Sequence, residues 1–193
     1  MGSGQATSRT GKEAQVRLAR AKRSVAAVTA AVSMTAGCGL THLQDLNFRV
    51  DDRLHFVTPK DRSKVQLPLT IRWRMSDFTV AAPGSAAPRR DAGYFVLFVD
   101  QSPVEPGQTM KAICKADPFE RGDKNCPTTD YLQSKRIYPT TSDSVTLERI
   151  PNLSGSKDKV QLHTFIVVLF DPAGHRIGES AWELDLRLPR IGG

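Results

Sequence analysis

The sequence predicts an all-β fold, a single antiparallel β-sandwich of about seven to eight strands, formed by residues 48–190 behind a short helical leader. Three features point to it. Apolar and polar residues alternate over several stretches, the period-two spacing of a strand that buries one face. Two further stretches are apolar almost throughout, yet too short for helices. Between them stand segments rich in proline, glycine, asparagine and aspartate, the residues that turns use.

In "FRVDDRLHFV" (48–57), Phe48, Val50, Leu54 and Phe56 share one side, with Asp52 the exception. Arg49, Asp51, Arg53 and His55 share the other. In "VQLPLTIRW", Val65, Leu67, Leu69, Ile71 and Trp73 are all apolar and alternate with polar residues or proline. Pro68 cannot donate to a ladder, so this strand is expected at an edge or a bulge. "YFVLFVD" (94–100) and "TFIVVLFD" (164–171) are rich in β-branched and aromatic residues and read as central strands. Shorter strands are expected at 108–113, 135–140 and 144–150. "AWELDLRL" (181–188) alternates again, and closes the domain. "SPVEPGQ", "PNLSGSKDK" and "DPAGH" supply the turns, while "AAPGSAAPRRDAG" (81–93) reads as an insertion between strands.

The leader has a different character. Arg9, Lys12, Arg17, Arg20, Lys22 and Arg23 stand against Glu13 alone, followed by the uncharged run "SVAAVTAAVSMTAGCGL" (24–40). The 13 residues from Ser24 to Ala36 are too few for a helix to cross a hydrocarbon core of about 30 Å. Thr35, Ala36 and Gly37 are small and precede Cys38, where a signal peptidase needs a thin, extended substrate. Residues 1–37 therefore read as a cleaved export signal, and 38–47 as a tether.

"MTAGC" resembles the lipobox of bacterial lipoprotein precursors. The resemblance implies that Cys38 is the first mature residue, that its thiol takes a diacylglycerol in thioether linkage, and that its amino group is open to acylation by a chain such as palmitate. Two or three chains meet the requirement for stable anchoring, which one does not. Thr35 stands where that family usually has an aliphatic residue, with Met34 one place earlier. The implied address is the outer face of the bacterial cell membrane, or its periplasmic side in a two-membrane envelope. Ordinary secretion and an uncleaved anchor are the competing readings.

The formal charge of +7 belongs mostly to the leader: without residues 1–37 the chain holds 21 basic and 19 acidic side chains, a balance of +2. That is no basic nucleic-acid footprint, and no aromatic-plus-glycine RNA motif appears, so nucleic acid is not an expected partner. Cys114 and Cys126, with 11 residues between them, are expected to form a disulfide in an oxidising envelope. Two zinc thiolates would need two further ligands, and the nearest histidine, His163, is 37 residues away.

No catalytic residue, metal ligand or cofactor is assigned. "GESAW" (178–182) begins like a nucleophile elbow, but Trp182 replaces the second glycine and Ser180 reads as a surface residue. Asp51 and Asp52 are adjacent, hence on opposite faces of a strand. His42, His55, His163 and His175 show no ligand spacing, and His163 reads as a structural, hydrogen-bonded histidine. Met75 and Met110 are few for copper handling. The cystine loop "CKADPFERGDKNC" offers Asp117, Glu120, Asp123 and Asn125 as oxygen ligands, but not in EF-hand order, and Lys115, Arg121 and Lys124 oppose a cation.

The succession "PLTIRW", "FVLFVDQSPVEPG", "VTLERIPNL", "HTFIVVLFDPAGHRIGESAWELDLRL" resembles bacterial immunoglobulin-like or fibronectin type III-like domains. In those domains a long strand ends in a D-x-x-G turn and a final strand closes the sheet. The usual inter-sheet cysteine pair is missing, so an antibody-type domain is not implied, and fold likeness licenses no activity. The expected function is that of a non-catalytic envelope lipoprotein, held to membrane lipid through Cys38 and serving as a membrane-proximal binding or adaptor module for an envelope protein or polysaccharide. The alternatives are a cell-wall-acting enzyme and a copper-handling lipoprotein. The expected working surface is the loop pair 81–93 and 114–131, which holds Arg89, Arg90, Phe119, Arg121 and Tyr131, residue types that dominate interface hot spots. The nine residues Gly39–Asn47 reach at most about 32 Å, which places the partner near the membrane.

Overall fold

A computed structural model describes residues 51–191 of the chain. Strand β4 (Ala92–Val99) is buried at every one of its eight positions, and its neighbours follow from that. One sheet has three strands, in the order β1 (Leu54–Thr58), β2 (Leu69–Met75), β6 (Ser144–Leu147). The other has five. There β4 pairs with β7 (Val160–Phe170), and β7 with β8 (Trp182–Pro189). The far side of β4 is shared by β3 (Thr79–Val80) at its start and β5 (Ile137–Thr140) further along. Every pairing between strands is antiparallel except the two-residue contact of β3 with β4. The two sheets form a β-sandwich.

The alternating positions read from the sequence meet between the sheets. Leu69, Ile71 and Trp73 of β2 face Phe95 and Leu97 of β4, Phe165 and Val167 of β7, and Leu184 and Leu186 of β8, all within one buried cluster. Trp73 sets its edge on Phe95, with centroids 5.5 Å apart. Each such side chain contributes about 1.5–3 kcal/mol on leaving water. Register keeps the set in place: Phe95 lies opposite Leu169, and Phe165 opposite Leu184. A slip of one residue would turn all of these side chains outward.

A second cluster lies on the outer face of the five-stranded sheet, where Tyr94, Val96 and Phe98 join Val168 and Phe170. Tyr94 stacks on Phe170 at 5.7 Å. This face is covered by the segment between β4 and β5, which contributes Val104, Met110 and Leu132 and contains two short helices, α1 (Lys111–Ala116) and α2 (Thr129–Ser134). Sequence reading placed a strand at 108–113. The chain instead turns into α1, because Met110, Ile113 and Cys114 stand at helical spacing and lay one side on the sheet. Among the described residues there are eight strands, within the expected seven to eight, because the two-residue β3 was not expected.

Pro68 is a second correction. Strand β2 is the middle strand of its sheet, not an edge, and Pro68 immediately precedes its first residue, so the missing N–H falls outside the ladder. Gly93 is required where β4 meets β7. Its φ is +152°, and a Cβ there would collide with the backbone carbonyl of Phe170. The described chain begins beside the β7–β8 turn: Trp182 Nε1 donates to the Asp51 carbonyl at 2.6 Å, and the Ser180 hydroxyl to Asp51 Oδ2 at 2.6 Å. This amino-terminal end of the sandwich also holds the start of β4 and the 76–91 connection. The opposite end holds residues 59–68, 100–102 and 148–159. The signal reading of 1–37, the Cys38 lipid site, the 38–47 tether and the positions Phe48 and Val50 lie outside the described residues.

Candidate functional site

The segment that covers β4 also presents the most exposed large apolar side chain among the described residues, Phe119, 94% exposed. Its setting is built. Cys114, on α1, is bonded to Cys126 with Cα atoms 6.0 Å apart, and both are buried. Helix α2 starts at an N-cap, Thr128, whose hydroxyl accepts the Tyr131 N–H at 3.2 Å, with Asp130 in its first turn. That places Leu132 under the helix and Tyr131 beside the loop. The Tyr131 hydroxyl donates to Asp117 Oδ2 at 3.1 Å, and Lys135 Nζ reaches the same oxygen at 2.8 Å. Lys135 also lies 5.4 Å from the Tyr131 ring centroid. Asp117 Oδ1 accepts the Phe119 N–H at 3.0 Å.

The electrostatics follow from these contacts. Hydrogen bonding to Lys135 holds the Asp117 carboxyl below its ordinary value, helped by the Phe119 N–H. Burial, then the Asp117 carboxylate, pushes the Tyr131 hydroxyl up. The loop is thereby closed at both ends by the cystine and held to α2 and Lys135 at Asp117, and Phe119 projects from it over a shallow depression of about 430 Å³ bounded by Gln101, Ile113, Asp117, Tyr131 and Lys135. Arg121 is exposed on the same loop.

Arg89 and Arg90 lie elsewhere. They precede β4, whereas the stapled loop sits beside Gln101, just past its end, and a strand of eight residues spans roughly 25 Å. The two loops are therefore not one surface. Arg89 is paired with Asp91 at 2.7 Å. Arg90 borders a cleft of about 570 Å³ with Asp171, His175 and Arg176. The guanidinium of Arg176 serves the fold: it donates to the carbonyls of Val104, Glu179 and Ser180, and burial lowers its pKa. It clamps the covering segment to the β7–β8 turn.

His163 is buried and hydrogen-bonded, its Nδ1 2.8 Å from Asp100 Oδ2, an oxygen that also accepts from Arg136 at 3.0 Å. The other Asp100 oxygen accepts the Thr164 N–H at 3.0 Å. This trio ties the end of β4 and the start of β5 to the first half of β7. Ser180 donates to a carboxylate, not to a histidine. Of the oxygen ligands considered for calcium, Asp117 is occupied by Lys135 and Tyr131, and Asp123 accepts the Asn125 N–H at 2.8 Å. Among the described residues no group of three or more His, Cys, Asp or Glu is placed to hold a metal ion. No helix among them is long and apolar enough to cross a membrane.

Sequence reasoning found the cystine and Phe119 but missed the helices that position them. The signals were present: Thr128 ahead of an acidic first turn for α2, and the Met110, Ile113, Cys114 spacing for α1. No protein-family model, curated protein or solved structure matches the chain.

Proposed function

We propose that the protein is a non-catalytic envelope lipoprotein, anchored through Cys38, whose sandwich acts as an adaptor and engages an envelope partner through the stapled loop 114–131. The observation that carries the binding half is Phe119, an aromatic ring left almost wholly in water on a loop that a cystine and the Asp117–Lys135–Tyr131 contacts hold in place. Exposing such a ring forgoes about 1.5–3 kcal/mol, while a pre-ordered aromatic is the kind of group that anchors an interface at low entropic cost. The anchoring half is supported by the "MTAGC" resemblance and by a cystine suited to an oxidising compartment.

Partner capture from envelope membranes by the anchored protein tests the proposal. Phe119→Ala should reduce capture at least tenfold with Tm unchanged, and Arg90→Ala, at the other end, should leave it intact. Equal capture by wild type and Phe119→Ala would remove the loop from the function.

A further inference from the structure

Strands β1, β2 and β6 turn one side to the core and leave the other bare. Leu69, Ile71 and Trp73 belong to the core, so Thr70, Arg72 and Arg74 stand on the outer side of the middle strand, all exposed. Register brings a hydroxyl to each side of Arg72: Thr58 of β1 lies opposite it, and so does Ser144 of β6. Thr70 lies opposite Thr146, their hydroxyl oxygens 2.9 Å apart, and His55 lies opposite Arg74. No aspartate or glutamate occurs within these three strands. Of the acids just outside them, Asp51 is held by Arg53, and Asp52 and Asp77 lie past the ends of β1 and β2. Asp143, whose carbonyl accepts the Trp73 N–H, aligns with Trp73 on the other side of the pleat. Glu148 lies four residues past Ser144, roughly 13 Å along the chain. Among the described residues neither Arg72 nor Arg74 takes part in an ion pair.

We infer that this outer face is a binding site for a phosphate-bearing polysaccharide, gripped at its phosphate monoesters by Arg72 and Arg74. The two side chains leave β2 about 7 Å apart on one side of the strand, and their length lets both guanidinium forks close on one group. A planar carboxylate is filled by a single fork, whereas a phosphate monoester carries three strong acceptor oxygens and takes both. Solubility alone would be served equally by lysine. Both positions hold arginine, whose rigid fork fits an oxyanion and which stays charged at any ordinary pH. A face with cations and no acid of its own draws a polyanion in, and the hydroxyls of Thr58, Thr70, Ser144 and Thr146 offer donors and acceptors to the sugar. A protein partner fits less well, because the exposed large apolar side chain on these strands is Val57 alone, and interface anchors are mostly aromatic or buried. Nucleic acid also fits less well, since bases ask for aromatic platforms.

The inference goes beyond the adaptor proposal and does not depend on the Phe119 loop, which belongs to the segment over the outer face of the other sheet. The test is binding of the full chain, at low salt, to dextran bearing phosphate monoesters, to carboxymethyl dextran of equal charge and to plain dextran. Single-stranded DNA and a soluble short-chain phosphatidic acid are run beside them. The phosphorylated dextran should bind tightest, about tenfold or more above the carboxymethyl form, and plain dextran not measurably. Arg72→Ala and Arg74→Ala should each weaken binding about tenfold. Arg72→Lys with Arg74→Lys should weaken it as well, because the charge stays and the forks are lost. Lys64→Ala, an exposed cation beside the other sheet, should bind as wild type does. All three positions are exposed, so Tm should be unchanged throughout. No binding of the phosphorylated dextran, equal binding of the carboxymethyl form, full affinity in the double lysine variant, or a loss in Lys64→Ala as large as in Arg72→Ala would overturn the assignment. So would tighter binding of the DNA or of the phosphatidic acid.

Discussion

The Ser180 hydroxyl donates to the carboxylate of Asp51 at 2.6 Å, across 129 residues of sequence. With the paired contact from Arg53, at 2.9 and 2.8 Å, it fixes the start of the domain against the turn between β7 and β8. The Arg53 guanidinium, more than Ser180, holds the Asp51 carboxyl well below the usual carboxylate range, against the opposing effect of burial. A carboxyl lowered in the folded state stabilises fully above its unfolded value near 4, and loses that contribution as pH falls toward the folded value. Asp51→Ala should therefore cost about 1–3 kcal/mol at pH 7. The gap to wild type should shrink below about pH 4. Urea unfolding at the two pH values measures it, and a gap that is constant with pH would show the carboxylate to be unimportant.

Gly93→Ala should be among the most damaging single-methyl changes, because the new Cβ meets the Phe170 carbonyl at the seam of two central strands. A loss above about 2 kcal/mol is expected. Gly84→Ala is the control. It too has a positive φ, +74°, but nothing lies within 4 Å of the added carbon, so its cost should stay near 1 kcal/mol. Thermal unfolding of the pair separates collision from backbone strain.

Cys126→Ser should lower stability by about 2–5 kcal/mol, chiefly by freeing a loop closed over 12 residues. Since Cys114 lies on α1, loss of order should centre on the covering segment. Amide exchange should accelerate across 111–134 and change less in β2 and β7. Uniform acceleration over the whole sandwich would mean that the cover and the sheets unfold as one unit.

The anchor proposal rests on one thiol. Cys38→Ala should leave an uncleaved or misprocessed precursor in membranes, and intact-mass measurement of the wild-type mature amino terminus should show an acylated Cys38. A mature chain beginning at Gly39 or later without lipid would reduce the protein to a secreted one.

Local periodicity made much of the sandwich legible. The alternation in "LTIRW" and "AWELDLRL" names the inward faces of β2 and β8 correctly, because a pleated strand sends neighbours to opposite sides whatever surrounds it. The uninterrupted run "YFVLFV" likewise announced a strand buried on both faces. What would cover its outer side was not written beside it. Met110, Ile113 and Leu132 do so, from short helices whose stability comes from that packing more than from intrinsic propensity. Hence the 108–113 stretch, read alone, was assigned to the wrong element.

The sequence by itself determined the alternating core faces, the pairing of Cys114 with Cys126 as an expectation, and the candidate lipid-bearing Cys38, since each is a property of residues close together in the chain. Only the tertiary structure decided that Arg90 and Phe119 belong to opposite ends of β4, and that residues 60–65 run along the edge of β8 that β7 leaves open. Charge and exposed surface act through space, over distances of about 10 Å. The spatial neighbours of a side chain are chosen by strand register and by packing between the sheets, which no single stretch of sequence states.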